Sequence, residues 1–401
     1  MKYLFTITLL LGFIKFSFTQ ESTDLRLWFS GFVNSQIYMD SRQILESREG
    51  MVSLYPKAPS LDPNGNDINS RSSLNHLAMT SRLKVNLAGP DILGATVTGA
   101  IEGDFTGSSN IDNNGYRLRE AYVKLNWTKR NLLIGSFWHP LYVFETSPFT
   151  IGLNTGAPFH PFSRHNQIRF EQLFKHSKLI LFAGMQRDFS SSGYLGKTSE
   201  YQRNAATPNF HIQYQLRLKT HLLGMGIDYK SILPSLAGIQ GLKILDDKYL
   251  NTLAFNVFSR FEFKNLSIKS QYILGSNLSE FIMLGGYILL PKNEANVYSY
   301  KAVKQESYWI DIVTKGNKIK LGLFAGYAKN KSGNVFEHEF YGLGNSIDYL
   351  YRISPRIQFH SNKFMWATEF EYTVASYFDQ NQVNSSEIGN LRILTGLFYF
   401  F

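Results

Sequence analysis

The 401-residue chain contains no cysteine. That excludes disulfides, thiolate-bound zinc, iron–sulfur clusters, thiol catalysis and a lipid anchor on an N-terminal Cys. It suits a protein that crosses an oxidising compartment unfolded. Charge is also sparse, with Asp, Glu, Lys and Arg together at 18%. Past the N-terminus no segment offers the ~18 uninterrupted apolar residues of a membrane helix. G-x-S-x-G, P-loop and H-E-x-x-H motifs are missing, so nothing local points to catalysis, and no cofactor is indicated. Gly224-Met225-Gly226 lies inside an alternating segment and is too weak for a nucleotide site. The net charge is +10, but its Lys and Arg form no run or stripe, which argues against nucleic acid as a partner. The nine His are scattered. His160 and His165 could touch a metal, but a hydrogen bond within a loop is the commoner role, so no metal site is assigned.

Aromatic residues are plentiful: 32 Phe and 23 Tyr raise their share to 15%. Mean hydropathy is nevertheless slightly negative, as happens when apolar and polar residues alternate and cancel in every window. Residues 1–19 read as a signal peptide, with Lys2 as the basic start, Tyr3 to Phe16 as the apolar stretch and Ser17-Phe18-Thr19 as a small-x-small cleavage site. Residues 20–401 then form one domain.

That domain alternates with period two. Phe210, Ile212, Tyr214, Leu216 and Leu218 share one parity, and His211, Gln213, Gln215, Arg217 and Lys219 the other. Strands project successive side chains to opposite faces, so each such segment has one apolar and one polar face. The pattern returns at Leu77–Leu87, Leu253–Lys264, Tyr349–His360 and Phe364–Thr373. A soluble sandwich would alternate as well. The connections separate the two cases. Short links fall at Gly89–Asp91, Thr128–Asn131, Lys175–Ser177, Lys219–His221, Lys264–Asn265, Lys315–Asn317 and Ser361–Lys363. Long links, near 40–72, 105–115, 139–164, 188–206, 231–248, 277–303, 330–346 and 375–386, alternate with them. Seven short turns and eight long loops join sixteen strands, the layout of a transmembrane antiparallel β-barrel in the bacterial outer membrane. The last strand, ending Leu397-Phe398-Tyr399-Phe400-Phe401, closes on an aromatic. It looks like the C-terminal signal read by the barrel-insertion machinery.

Two strands resist assignment. In Tyr116–Trp127, Arg117 and Arg119 share a parity with Val123 and Leu125, and 131–138 is apolar on both parities. The latter leads into the third long link, HPLYVFETSPFTIGLNTGAPFHPFSRH, which is rich in Phe and Pro and poor in charge. Such a loop is built to pack against something, either inside the barrel or as an outer cap or subunit contact.

Arg117 to Pro140, RLREAYVKLNWTKRNLLIGSFWHP, resembles the corresponding segment of trimeric sixteen-stranded porins, the DcaP-like group above all. Gly135, Phe137 and Trp138 stand near that group's L-x-G-Q-x-W pattern, with Ser136 in place of Gln. The resemblance implies a homotrimer, a third loop folded into the lumen, and Arg117 and Arg119 facing the channel. On the inward parity, about fourteen basic residues oppose about seven acidic ones. Arg82, Lys84, Arg117, Arg119, Arg169, Glu171, Arg217, Arg260, Arg352, Arg356 and Glu369 are the expected pore-lining residues. His139, Glu145, Asn154, His160 and Arg164 are expected on the constriction loop. Rings of basic side chains favour anions, so the expected role is passive diffusion of small hydrophilic, preferentially anionic solutes. Outer-membrane lipid and lipopolysaccharide would surround the barrel. A barrel enzyme of lipase or protease type remains an alternative, because its catalytic residues would lie on separate strands. A subunit of a secretion or adhesion assembly is another.

Overall fold

The computed structural model describes residues 25–401 apart from 110, 113, 238–244, 246, 291–297, 334, 336, 337 and 379–384. The expected signal peptide and the centre of the eighth long link lie outside the described residues. Sixteen antiparallel strands form one closed barrel. They are β1 Arg26–Asp40, β2 Ser73–Leu77 resuming as Arg82–Ile92, β3 Ala95–Asp104, β4 Arg117–Asn126, β5 Arg130–Trp138 and β6 Arg164–Leu173. Then come β7 Ser177–Gln186, β8 Asn209–Leu218, β9 His221–Ile232, β10 Leu250–Glu262 and β11 Leu266–Ser276. The last five are β12 Ser299–Thr314, β13 Ile319–Asn330, β14 Ile347–Ser361, β15 Phe364–Phe378 and β16 Ser385–Phe400. β1 pairs with β16 from Phe32↔Phe400 to Asp40↔Arg392, which leaves no free edge. Six of the seven expected turns, and the long loops as far as they are described, fall where the sequence places them. The first turn is instead at Leu93-Gly94, because Gly89, Pro90 and Asp91 still belong to β2.

The alternation runs inside out. On β8, Phe210, Ile212 and Tyr214 are exposed, while His211, Gln213 and Gln215 are buried. In water this apolar belt would be a liability. In lipid it is the favoured face, and ladder hydrogen bonds satisfy the backbone. Among the described residues no helix is long and apolar enough to cross a membrane.

The two ambiguous strands now resolve. Between β3 and β4, Glu102 pairs with Glu120 but Gly103 with Leu118, leaving Arg119 as an extra residue in a bulge. Because one added residue reverses parity, Arg117 and Arg119 face inward above it, and Glu120, Tyr122 and Lys124 below it. On β5, Leu133 sits opposite Lys124 and Arg169, so Leu133 and Phe137 face inward while Leu132 and Ile134 face outward.

Candidate functional site: the lumen and its infolded loop

The third loop (L3, residues 139–163) crosses the interior. His139 caps its first turn, its ring accepting from Leu141 N–H at 3.1 Å. Beyond it the far wall grips the loop backbone. Gln271 donates to Leu141 O at 2.9 Å, Arg260 to Glu145 O at 3.0 Å and Lys269 to Ser147 O at 2.8 Å. Ser307 donates to Phe159 O at 2.7 Å and Arg352 to Ala157 O at 2.9 Å. Two carboxylates work in the opposite sense: Asp311 accepts from Phe149 N–H at 2.9 Å and Glu369 from Ile151 N–H at 2.6 Å. Gly326 makes room, since a Cβ there would lie 2.5 Å from the Phe159 ring.

Two other loops join L3. The first-loop hairpin, Ile44–Ser47 with Val52–Pro56, tucks under β14–β16. Arg352 donates to Ser53 O and Leu54 O at 3.2 and 3.0 Å, Arg392 to Gly50 O at 2.7 Å, and Tyr377 to Pro56 O. Phe281 of the sixth loop accepts from Phe162 N–H at 2.9 Å. Val52, Leu54, Tyr142, Phe159, Phe162, Ile282, Leu284 and Phe324 thereby build one buried apolar core inside the barrel.

On β2–β7 most charges pair with one another instead, with Lys178, which reaches Glu145 of L3 at 2.8 Å, as the exception. Arg119 meets Glu102 at 2.7 Å and Asp104 at 2.9 Å; Arg117 meets Asp104 at 2.8 Å and Asp188 at 3.2 Å. Arg164 meets Asp188 at 2.6 Å, Lys84 meets Glu120 at 2.7 Å, and Arg82 meets Glu102 at 3.5 Å. Apart from that ion pair, this wall stands off from L3 and leaves two cavities. One of about 280 Å³ is lined by Arg82, Lys84, Glu102, Arg119, Glu120, Trp138 and Phe144 among others. One of about 210 Å³ is lined by Lys124, Trp138, Phe144, Glu145, Arg169, Glu171 and Lys178 among others.

All eleven expected pore-lining residues lie on inward positions, but they divide into two kinds. Arg82, Lys84, Arg119, Arg169 and Glu171 line these cavities, and Arg217 lines a lower one. Arg117 belongs to the ion network. Arg260, Arg352 and Glu369 hold the loops, and Arg356 is locked on Asp311 at 2.6 Å. Of the loop residues, Glu145 and His139 reach a cavity. Asn154 donates to Ser53 O at 3.1 Å, His160 bonds Tyr142 O at 2.9 Å, and Arg164 starts β6, its guanidinium 4.5 Å from the Trp138 ring. These three are buried and fix the loop. Sequence reasoning missed Lys124, Lys178 and Phe144, and the inward packing of the first and sixth loops. Apolar runs inside those loops, Val52–Tyr55 and Phe281–Leu284, were the available signal.

Burial pushes the His160 imidazole down to about 3, against the pull of Tyr142 O. Burial works to raise the Glu145 carboxyl, but Lys178, 2.8 Å away, wins and holds it below the usual range. His139, His211 and Asp228 bring ligand-type atoms within 4.8 Å of one another. Asp228 Oδ1 lies 3.2 Å from one nitrogen of each ring, and Leu141 N–H occupies the other nitrogen of His139.

A lipid-facing sixteen-stranded barrel with a charged lumen and an infolded third loop is the architecture of outer-membrane porins. A family model described as DcaP outer membrane protein matches residues 36–213, a stretch that contains the Arg117–Pro140 segment. The resemblance to DcaP-like porins therefore holds well beyond that segment. The outer membrane channel DcaP of Acinetobacter baumannii superposes with a TM-score of 0.68 at 16% identity, over 94% of this chain and 97% of that one. An anion-selective porin from Comamonas acidovorans follows at 0.59 and 11%, covering 94% and 100%. OmpT of Vibrio cholerae in a trimer form gives 0.55 and 9%, covering 94% and 99%. No curated protein sequence matches the chain.

Proposed function

We propose that this channel is a passive pore for small hydrophilic solutes with a modest preference for anions. The observation that carries this is the charge lining the two cavities beside L3: Arg82, Lys84, Arg119, Lys124, Arg169 and Lys178 against Glu102, Glu120, Glu145 and Glu171. Six cations facing four carboxylates leave an excess of positive potential, which a narrow low-dielectric passage amplifies. The excess is small because most of these groups are paired, so selectivity should be partial. The anion selectivity of the Comamonas porin is in keeping with this reading. The protein is also proposed to be exported by removal of residues 1–19 and to act as a homotrimer. Outward Leu132 and Ile134 on β5 would then lie in a subunit contact, and a V. cholerae relative of the same fold occurs as a trimer. Planar-bilayer recording in a salt gradient tests the main claim. A reversal potential of the anion-preferring sign is expected, and cation selectivity in the wild type would sink it. Native mass spectrometry in mild detergent should show three chains, and monomer alone would refute the assembly.

A further inference from the structure

Taking the channel reading as its basis, we propose that solute passes only between L3 and the β2–β7 wall, and that Phe144 is the apolar gate across this route. The two cavities on that side share Trp138 and Phe144 as lining residues. The lower of them shares Lys124, Glu171 and Lys178 with a third cavity of about 380 Å³. That third cavity is lined by Lys175 and His176, which belong to a short turn, so the series ends at the periplasmic mouth. On the opposite side, a cavity of about 380 Å³ touches Phe149 and the Lys315–Asn317 turn. It shares no lining residue with the upper pair. Above it Asp311 and Glu369 bind the loop backbone at Phe149 and Ile151, which holds L3 against that wall.

Two aromatic side chains therefore stand at the junction of the upper cavities, and only one can move. Trp138 is stacked on Tyr142 with ring centroids 3.9 Å apart and is 5% exposed. Phe144 is 59% exposed, although Val143 and Thr146 beside it are buried. Its ring meets Phe137 and Tyr142 only at centroid distances of 6.3 and 6.4 Å. An apolar ring kept in a charged lumen raises the barrier for hydrated solutes at that point, the way hydrophobic constrictions gate by dewetting. Lys84 lies above the ring and Lys124 and Lys178 below it, so an anion would be handed from one ammonium group to the next past Phe144.

The test is single-channel conductance of F144A beside F149A, which truncates an aromatic on the gripped side of the same loop. Conductance should rise roughly twofold or more in F144A and stay at the wild-type value in F149A. Because the chain has no cysteine, F144C and F149C offer a second readout. A negatively charged methanethiosulfonate should cut the current through F144C and leave F149C untouched. A conducting wild type whose current is unchanged in F144A, or raised equally by F149A, overturns the route while leaving the channel standing. A wild type that forms no pore at all overturns both.

Discussion

The two walls flanking L3 use the same side chains for different ends. On β10–β15, Arg260, Lys269 and Arg352 spend their donors on loop carbonyls, and Asp311 and Glu369 accept loop N–H groups. On β2–β7, Arg82, Lys84 and Arg119 pair with Glu102 and Glu120 on the same wall and leave space in front of them. An inward charge in a barrel is thus a channel group only where no loop has claimed it. What the infolded loops reach decides the role, and residue type does not.

The sharpest way to break this contrast is R352A. It removes donors to Ala157, Ser53 and Leu54 at once and leaves Glu371, 3.3 Å away, buried without its partner. Stranding a buried charge costs about 3–5 kcal/mol. Urea unfolding in detergent should show a loss of that order, with noisier and larger single-channel currents as L3 loosens. Next comes G326V, which drives a side chain into Phe159. Overpacking of this kind costs about 1–3 kcal/mol. It should raise protease sensitivity within 139–163 more than elsewhere.

Acid provides a milder lever on the gripped side. The His160 pKa is depressed in the fold, so its stabilising effect is complete above the ordinary value of 6.5 and fades as pH falls toward about 3. The slope in that window approaches 1.36 kcal/mol per pH unit for a single group. Current noise should therefore rise between pH 7 and pH 5, and H160N should abolish the difference. The smallest effect expected concerns the open wall. K84Q frees Glu120 in the upper cavity, so the reversal potential should shift by a few millivolts toward cations. The same neutralisation at Arg203, 63% exposed on the fourth loop, should shift it less, because bulk salt screens it. Equal shifts would mean that the upper cavity is not on the path.

Much of the architecture was readable in advance, because lipid enforces period two and the outer membrane sorts links by length. The failures have local causes. Parity broke at Arg119, where a single extra residue turns one face into the other, and no spacing rule signals a bulge in one chain. Leu133 and Phe137 were apolar for a reason that lies outside their strand: Phe137 meets the loop aromatic Phe144. The inward charges were found, but their division into loop holders and cavity-lining groups depends on where L3 lies in three dimensions. His160 and Asn154 were placed on the right loop; their bonds to Tyr142 O and Ser53 O turn them away from open space.

The grip on L3 has a consequence for how such a pore can change over time. Leu141, Glu145, Ser147, Phe149, Ile151, Ala157 and Phe159 are all held through backbone atoms. A backbone group is the same whatever residue carries it, so the wall fixes the path of the loop while leaving much of its composition free. Residues whose side chains project into space, Phe144 foremost, can be exchanged without unseating the segment that bears them. The barrel thus behaves as a fixed frame with a replaceable filter, and new permeability can arise from single substitutions that leave folding untouched.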